Sequence, residues 1–154
     1  MSSSKTPPIL FYSVTDDYGF LSNFAPAPFR LKGHTWPTTE HYFQAQKFAG
    51  TPYEKRVRDA KTPMIAARIG RDRSLPLRRD WESVKVSVMR DAVLAKFTQH
   101  DDLRVALLAT GDAALIEHTE NDDYWGDGGD GSGRNVLGRI LVEVRETLRS
   151  HAAR

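Results

Sequence analysis

Helical periodicity dominates the hydrophobic pattern of this chain. Apolar residues recur every three to four positions along residues 80–99 and again along residues 135–149, which predicts two long helices with an apolar face. Shorter helices are predicted where a threonine, proline or acidic start signal is followed by a glycine stop signal. These shorter helices cover residues 38–50, 52–60, 63–70 and 101–109.

Strand signals are few and short. Residues 9–12 are β-prone, and residues 28–37 are typical of a hairpin in which Lys32 and Gly33 form the turn. Residues 114–119 suit either a strand or a continued helix, and we favour the strand. The elements together predict an α+β fold, a compact and mainly helical single domain with a small β-sheet.

The length and composition limit the domain organisation. A chain of 154 residues is long enough for one well-buried core, which we assign to residues 9–150, after a disordered tail at residues 1–8. The tail lacks the apolar core of a signal peptide, and no run approaches the roughly 18 apolar residues of a membrane helix. Cysteine is absent, which excludes disulfides and thiolate metal sites and is compatible with the cytoplasm, the expected location.

The charge is nearly balanced overall but unevenly distributed. The formal net charge is +2, from 22 basic and 20 acidic residues, so it gives no reason to expect non-specific nucleic-acid binding. Basic residues crowd into residues 68–79, whereas residues 120–130 are acidic. A fold that brought these segments together would form a polarised cleft.

The segment 36–48, WPTTEHYFQAQKF, places polar side chains among aromatic rings. Read as a helix, it aligns Glu40, Gln44 and Lys47 on one stripe at i, i+4 and i+7. Two interpretations stay open. The stripe binds a polar ligand, or Glu40 interacts with the helix dipole while the remaining polar groups face solvent.

Lys85 lies in the middle of the apolar face of the helix at residues 80–99. An ammonium group in that position must extend to solvent, find a carboxylate, or occupy a polar pocket with a perturbed pKa, because an unpaired buried charge is too costly to keep. Lys96 shares the face. Since it lies near the end of the helix, we expect it to reach solvent.

The segment 125–133, WGDGGDGSG, combines a large ring, carboxylates and glycines. This composition is expected where the backbone approaches a ligand closely and a ring stacks on it, although a solvated loop is an alternative. Calcium-loop spacing fails because Trp125 stands where a ligand would alternate, and the lysine ending of a phosphate loop is missing. The histidines show no metal-binding spacing, so neither a metal nor a cofactor is predicted.

Several motifs, in the same order, closely resemble the YbiA-like, or NADAR, family. The resemblance covers about residues 10–148 and rests on GFLSNF at 19–24, WPTTEHYFQAQKF at 36–48, PLR at 76–78 with Trp81, Val84 and Lys85, and YWGDG at 124–128 with Gly133, Asn135, Leu137 and Gly138. It implies an α+β domain with N-glycosidase activity.

The resemblance also implies substrates and partners. YbiA-like members act on the ribosylamino-pyrimidine 5′-phosphates of early riboflavin biosynthesis and release ribose 5-phosphate, so a small phosphoribosyl substrate is expected and no membrane. Other NADAR members remove ADP-ribose from guanine, an alternative under which nucleic acid becomes a partner. A non-catalytic module that binds ribosyl nucleotides is a second alternative.

The chemistry of the reaction assigns roles to particular residues. Cleavage at an anomeric carbon builds positive charge on the sugar, so we expect Glu40 and Asp127 near the ribose, in one hollow with Lys85. Lys85 could attack C1 and form a Schiff base, or it could only pair with Asp127 or bind the phosphate. The predicted substrate-binding residues are Asn23, Phe24, Trp36, Gln44, Arg71, Arg78, Trp81, Trp125 and Asn135.

Overall fold

The computed structural model describes residues 6–152. Within that range the chain forms six α-helices and four β-strands, so the predicted α+β class is confirmed. Of the predicted disordered tail, residues 1–5 lie outside the described residues. The elements are β1 (Ile9–Phe11), a 3-10 helix (Gly19–Leu21), β2 (Phe29–Leu31), β3 (His34–Trp36), α1 (Thr39–Gln46), α2 (Pro52–Arg58), α3 (Pro63–Gly70), α4 (Trp81–Gln99), α5 (Asp101–Leu108), β4 (Leu115–Glu117) and α6 (Val136–Ala152).

The chain divides into two compact units. The central unit, Asn23–Gln99, contains β2, β3 and α1 to α4, and the terminal unit, Met1–Ser22 with His100–Arg154, contains the other elements. The predicted sheet is accordingly two pairs of strands, β1 parallel to β4 in the terminal unit and β2 antiparallel to β3 in the central unit.

Helix α1 forms the centre of the central unit. All eight of its residues are buried, and it packs against α2, α3 and α4. The Thr38 side chain accepts a hydrogen bond from the backbone N–H of His41, the N-cap that the sequence predicts. The predicted helix end at Gly50 is wrong, because the helix ends at Gln46 and the chain continues in turns to Gly50, which has a φ of +84°.

The terminal unit is built around α6, which packs against β4 and α5. The apolar positions that predicted this helix are all buried: Leu137, Ile140, Leu141, Val144 and Leu148. Arg145 is also buried, and its Nη1 donates hydrogen bonds to the Thr110 hydroxyl and to the carbonyl of Ala113. Two hydrogen bonds from Nη1 thus anchor this charged residue at the α5–β4 connection, whereas its buried Nε has no hydrogen-bond partner among residues 6–152.

The expectation that Lys96 reaches solvent is wrong. Its side chain is only 1% exposed, and burial lowers its pKa to about 7. The hairpin packs next to the end of α4, where the Gln99 amide exchanges hydrogen bonds of 2.8 and 2.7 Å with the backbone of Arg30 on β2. A position near a helix end reaches solvent only when no other element packs there.

No helix among residues 6–152 has the length and apolar character needed to cross a membrane.

Candidate active site

Glu40 and Gln44 form a buried polar pair on α1. Glu40 is 7% exposed and Gln44 is 3% exposed. The Gln44 amide donates from Nε2 to Oε2 of Glu40 over 2.8 Å, which is the orientation required because the amide oxygen would repel a carboxylate. The predicted alignment on one stripe is confirmed, and the interpretation of a solvent-facing polar stripe is wrong.

Lys47 completes the stripe one turn later. Its Nζ donates a hydrogen bond of 3.1 Å to the carbonyl oxygen of Gly70 at the end of α3. The same ammonium lies 5.8 Å from the ring centroid of Phe43 and 5.8 Å from that of Trp81, within cation–π range of both. The two rings pack against each other with centroids 5.0 Å apart. Lys47 is therefore held between one backbone acceptor and two aromatic faces.

The electrostatics of Lys47 identify a group of interacting charges. Burial lowers the pKa of Lys47, the negative charge of Glu40 opposes that shift, and the positive charges of Arg71 and Lys85 add to it. Glu82 acts weakly in the same sense as Glu40. Helices α1, α3 and α4 therefore bring Glu40, Gln44, Lys47, Arg71 and Lys85 together, and we call these five residues the charged cluster.

Lys85 finds a carboxylate on its own helix. Its Nζ donates to Oε1 of Glu82 over 2.7 Å, and the side chains are 17% and 80% exposed, respectively. Of the three outcomes that its position on the apolar face allowed, pairing with a carboxylate is the one that the structure shows. Glu82 is mostly exposed to solvent, so Lys85 is the more buried partner of the pair.

Asn23 secures the start of α1. Its Oδ1 accepts a hydrogen bond of 2.8 Å from the Thr39 hydroxyl, and its carbonyl accepts one of 3.2 Å from the backbone N–H of Glu40. Its Nδ2 donates to the sulfur of Met89 over 3.5 Å. Asn23 thus helps to orient the residue that carries the Glu40 carboxylate, while the neighbouring Phe24 is half-buried.

Two of the predicted binding residues serve the scaffold of the central unit. Trp36 is completely buried and its Nε1 donates to the carbonyl of Leu31, so neither ring face is open to a heterocycle and we do not retain it as a binding residue. Arg78 makes two hydrogen bonds, of 2.6 and 3.0 Å, to the carboxylate of Asp80, and that pairing raises the pKa of Arg78. Arg71 is exposed.

In the terminal unit, Asp127 organises the glycine-rich loop. The carboxylate is 5% exposed and accepts three hydrogen bonds: Oδ1 from the backbone N–H groups of Thr119 and Gly129 at 3.0 and 2.8 Å, and Oδ2 from Nδ1 of His118 at 2.8 Å. Burial acts to raise the pKa of Asp127, but the donors from His118, Gly129 and Thr119 together lower it. The carboxylate is held ionised, which suits it to stabilise positive charge rather than to donate a proton.

Trp125 and Asn135 lie on either side of the same loop. The backbone N–H of Trp125 donates to Oδ1 of Asp122, and its half-buried ring meets the ring of Tyr124 edge-on at 5.0 Å. Asn135 has a φ of +50° and bonds both ways to β4, donating to the carbonyl of Leu115 and accepting from the N–H of Glu117. The Asn135 amide is thus occupied by the fold, and the loop is tied to β4 by hydrogen bonds although Asp130, Gly131 and Ser132 are exposed to solvent.

The structure gathers part of the predicted site and adds to it. The charged cluster contains four of the predicted site residues, namely Glu40, Gln44, Arg71 and Lys85. Trp81 borders the cluster, because its ring lies within cation–π range of the Lys47 ammonium. Lys47 was missed as a site residue although its i+7 spacing from Glu40 was visible in the sequence. That Asp127, Trp125 and Asn135 of the terminal unit join this cluster stays a prediction.

Comparison with known proteins assigns the family. The family model for the NADAR domain matches residues 10–149. The chain is 61% identical over 140 residues to the N-glycosidase YbiA of Escherichia coli, covering 91% of this chain and 88% of that protein. It is 48% identical over 151 residues to a riboflavin biosynthesis protein of Vibrio vulnificus, covering 98% of this chain and 41% of that longer protein.

A solved structure agrees with the sequence comparison. The NMR structure of E. coli YbiA superposes with a TM-score of 0.89 at 58% identity, covering 96% of this chain and 88% of that one. The ordered motifs, the family model and the shared fold lead to one conclusion, which is that this chain belongs to the NADAR domain family.

Proposed function

We propose that this chain is an N-glycosidase that hydrolyses the N-glycosidic bond of ribosylamino-pyrimidine 5′-phosphates in riboflavin biosynthesis. Water adds across the bond, and the products are ribose 5-phosphate and an aminopyrimidine. The single observation that carries the proposal is the buried Glu40–Gln44 pair, whose carboxylate interacts with the charge of Lys47. The relatives of this chain are named as N-glycosidases and riboflavin biosynthesis proteins, which agrees with the proposal.

The reaction needs a carboxylate close to the sugar. As the C1–N bond breaks, positive charge spreads over C1 and the ring oxygen, and a neighbouring carboxylate stabilises it. Glu40 supplies that carboxylate, held in one orientation by Gln44. In the direct route, Glu40 accepts a proton from the attacking water, and the departing nitrogen keeps the bonding electron pair and takes up a proton.

The cluster also allows a covalent route. A neutral lysine amine adds to C1 of the ring-opened sugar imine, the aminopyrimidine leaves with a proton, and the resulting lysine Schiff base is hydrolysed by water to release the sugar. Lys85 is the residue that we proposed for this step from sequence. Lys47 now competes with it, because burial lowers the pKa of Lys47 and so increases its neutral fraction.

Other parts of the substrate have matching groups. The exposed guanidinium of Arg71 belongs to the charged cluster, and we assign it to the 5′-phosphate, for which a planar fork of N–H donors is well suited. Asp127 in the terminal unit is proposed to stabilise positive charge, consistent with its lowered pKa. The cytoplasm stays the predicted compartment.

Product analysis tests the proposal. The purified protein is incubated separately with the ribosylamino-pyrimidine 5′-phosphate and with ADP-ribosylated guanosine, and the released sugars are quantified. Multiple-turnover release of ribose 5-phosphate from the first substrate is the expected result. Turnover of the second substrate alone would replace the proposal with ADP-ribosyl hydrolysis, and stoichiometric binding without product would indicate a binding module.

Borohydride trapping during turnover separates the two routes. Reduction of a Schiff base leaves a stable sugar adduct on the attacking lysine, and peptide mapping distinguishes Lys47 from Lys85. An adduct on either residue supports the covalent route and names the nucleophile. Turnover without any adduct supports direct attack by water assisted by Glu40.

A further inference from the structure

Gly70 ends α3 without adopting the backbone conformation that usually requires glycine. The sequence predicts it as a helix stop, yet the helical span includes it and the C-cap is Arg71, with φ −92°. Gly70 is also absent from the glycines with positive φ. A residue with a side chain could therefore adopt this backbone conformation, and the need for glycine must come from its neighbours.

The neighbour is Gln44. A Cβ placed on Gly70 would lie 2.0 Å from Oε1, 2.6 Å from Cδ and 2.8 Å from Cβ of Gln44, all closer than real Cβ contacts. The far end of a glutamine could rotate away, but its Cβ is attached to the backbone of α1. Any side chain at Gly70 would therefore displace the Gln44 amide and also press α1 and α3 apart.

The displaced amide is the group that holds Glu40. Gln44 is 3% exposed, its Nε2 donates to the Glu40 carboxylate over 2.8 Å, and its Oε1 has no hydrogen-bond partner among residues 6–152. A buried acceptor without a partner is unfavourable, so the amide keeps this position through its hydrogen bond to Glu40 and through the space that the missing side chain of Gly70 leaves for Oε1. The carbonyl of Gly70 meanwhile accepts the hydrogen bond from Lys47.

We propose that Gly70 is a positioning residue of the proposed active site. Its missing side chain lets the Gln44 amide hold the Glu40 carboxylate, and its carbonyl holds the Lys47 ammonium. One residue at the end of α3 thus sets the orientation of an acidic and a basic group on α1. The inference rests on the proposed function for its consequence in turnover, whereas the contact itself stands on the geometry alone.

A double-mutant cycle tests the proposal. Gly70→Ala is expected to lower kcat/KM about 100-fold, mostly through kcat, because displacement of a reacting group by about 1 Å has an effect of that size. Gln44→Gly removes the three Gln44 side-chain atoms that lie within 2.8 Å of the added Cβ. In that background Gly70→Ala is expected to change kcat/KM less than about threefold, since coupled sites are not additive.

Gly50→Ala is the matched control. Gly50 has a φ of +84° and nothing within 4 Å of an added Cβ, so alanine there strains the backbone without touching Gln44. We expect Gly50→Ala to lower the thermal midpoint and to leave kcat/KM within about twofold. A comparable loss of kcat in Gly50→Ala would show that general destabilisation explains the Gly70 effect, and would overturn the proposal.

A readout without substrate separates this inference from the proposed function. In NMR spectra of the free protein, Gly70→Ala is expected to shift the Gln44 side-chain amide signals and to move the titration of the Glu40 carboxyl carbon to higher pH, because a hydrogen bond to the charged form is lost. Those shifts in a protein that does not turn over the pyrimidine substrate would refute the function but support the contact.

Three further results would overturn the role of Gly70 in a variant that folds. They are unchanged Gln44 and Glu40 signals in Gly70→Ala, unchanged kcat in an active protein, and an equal loss of kcat in the Gln44→Gly background. If Gly70→Ala alone does not fold, restoration of folding by Gln44→Gly supports the contact, and failure of the double variant to fold overturns it.

Discussion

Two buried carboxylates, one in each unit, are held in different ways. Asp127 in the terminal unit accepts hydrogen bonds from two backbone N–H groups and from His118, so the loop closes around it. Glu40 in the central unit is held by a side-chain amide and interacts with the charge of Lys47. Backbone donors tie a carboxylate to the fold, whereas side-chain partners can exchange for a ligand without unfolding their element.

The difference predicts unequal consequences for stability. Loss of the Asp127 carboxylate leaves backbone N–H groups buried without acceptors, so it should lower stability as well as remove the negative charge that we propose for the reaction. Loss of the Glu40 carboxylate removes charge from a group that still has its helix and packing, so its main effect should be on turnover. The predictions below test this contrast in order of decreasing effect.

Glu40→Gln is expected to lower the rate of ribose 5-phosphate release by about 1,000-fold while the unfolding midpoint changes little. The substitution keeps the shape of the side chain and removes only its charge and basicity. Glu82→Gln is the matched control, because Glu82 also pairs with a lysine but is 80% exposed. A Glu40→Gln protein that releases ribose 5-phosphate at the native rate would remove Glu40 from the catalytic residues.

Asp127→Ala is expected to lower the free energy of unfolding by about 3 kcal/mol, measured by urea titration at neutral pH, because three hydrogen bonds to a charged group are lost. Asp130→Ala is the control in the same loop. The Asp130 carboxylate is exposed and bonds within its own turn to Ser132, so the urea midpoint should stay close to that of the native protein.

The lowered pKa of Asp127 adds a pH dependence with a definite sign. The folded protein binds this proton less tightly than the unfolded chain, so the contribution is present above the ordinary carboxyl pKa of 3.8 and is lost as pH falls through the folded value. The stability difference between the native protein and Asp127→Asn should therefore shrink in acid. A difference that grows below pH 4 would contradict the assignment.

Two lysines allow the same comparison of effects on turnover and on stability. Lys47 lies in the charged cluster, whereas Lys96 belongs to no proposed site. Lys96→Met is expected to stabilise the protein by about 2 kcal/mol at pH 6 and to leave turnover unchanged. Because burial lowers the pKa of Lys96 to about 7, the unfolded chain binds more protons between that value and 10.5, and native stability rises with pH across this window. The advantage of the Lys96→Met variant should therefore shrink from pH 7 upward.

Lys47→Met serves as the comparison for Lys96→Met. It removes an equally long side chain from the charged cluster, and we expect a loss of turnover from this variant alone. Equal turnover in Lys47→Met and in the native protein would leave Lys85 as the lysine of the covalent route. Denaturation curves from pH 6 to pH 10 and initial rates at neutral pH measure both quantities.

His118→Ala is expected to have the smallest effect, a loss of about 1 kcal/mol in unfolding free energy. It removes one of the three donors to Asp127, and the His118 side chain is 47% exposed, so little packing is lost. Turnover should stay within about twofold of the native rate. A loss of turnover similar to that of Glu40→Gln would instead place the imidazole in the reaction.

The sequence by itself determined the local elements and one polar stripe. The sequence predicted the caps at Thr38 and Thr62, the Lys32-Gly33 turn and the apolar spacing of α6. All of them recur in the structure, because each depends on interactions within a few residues. The Glu40–Gln44–Lys47 alignment follows from helical geometry alone.

Only the tertiary structure decided which of these positions are covered and what covers them. A position near the helix end predicted that Lys96 reaches solvent, and the reaction chemistry placed Trp36 near a ligand, yet both side chains are buried. Gly70 shows the same limit, because a glycine stop signal and a glycine needed for the close approach of Gln44 look identical in a sequence. Periodicity defines the face of a helix, but the identity of the opposing surface depends on residues far away in the chain.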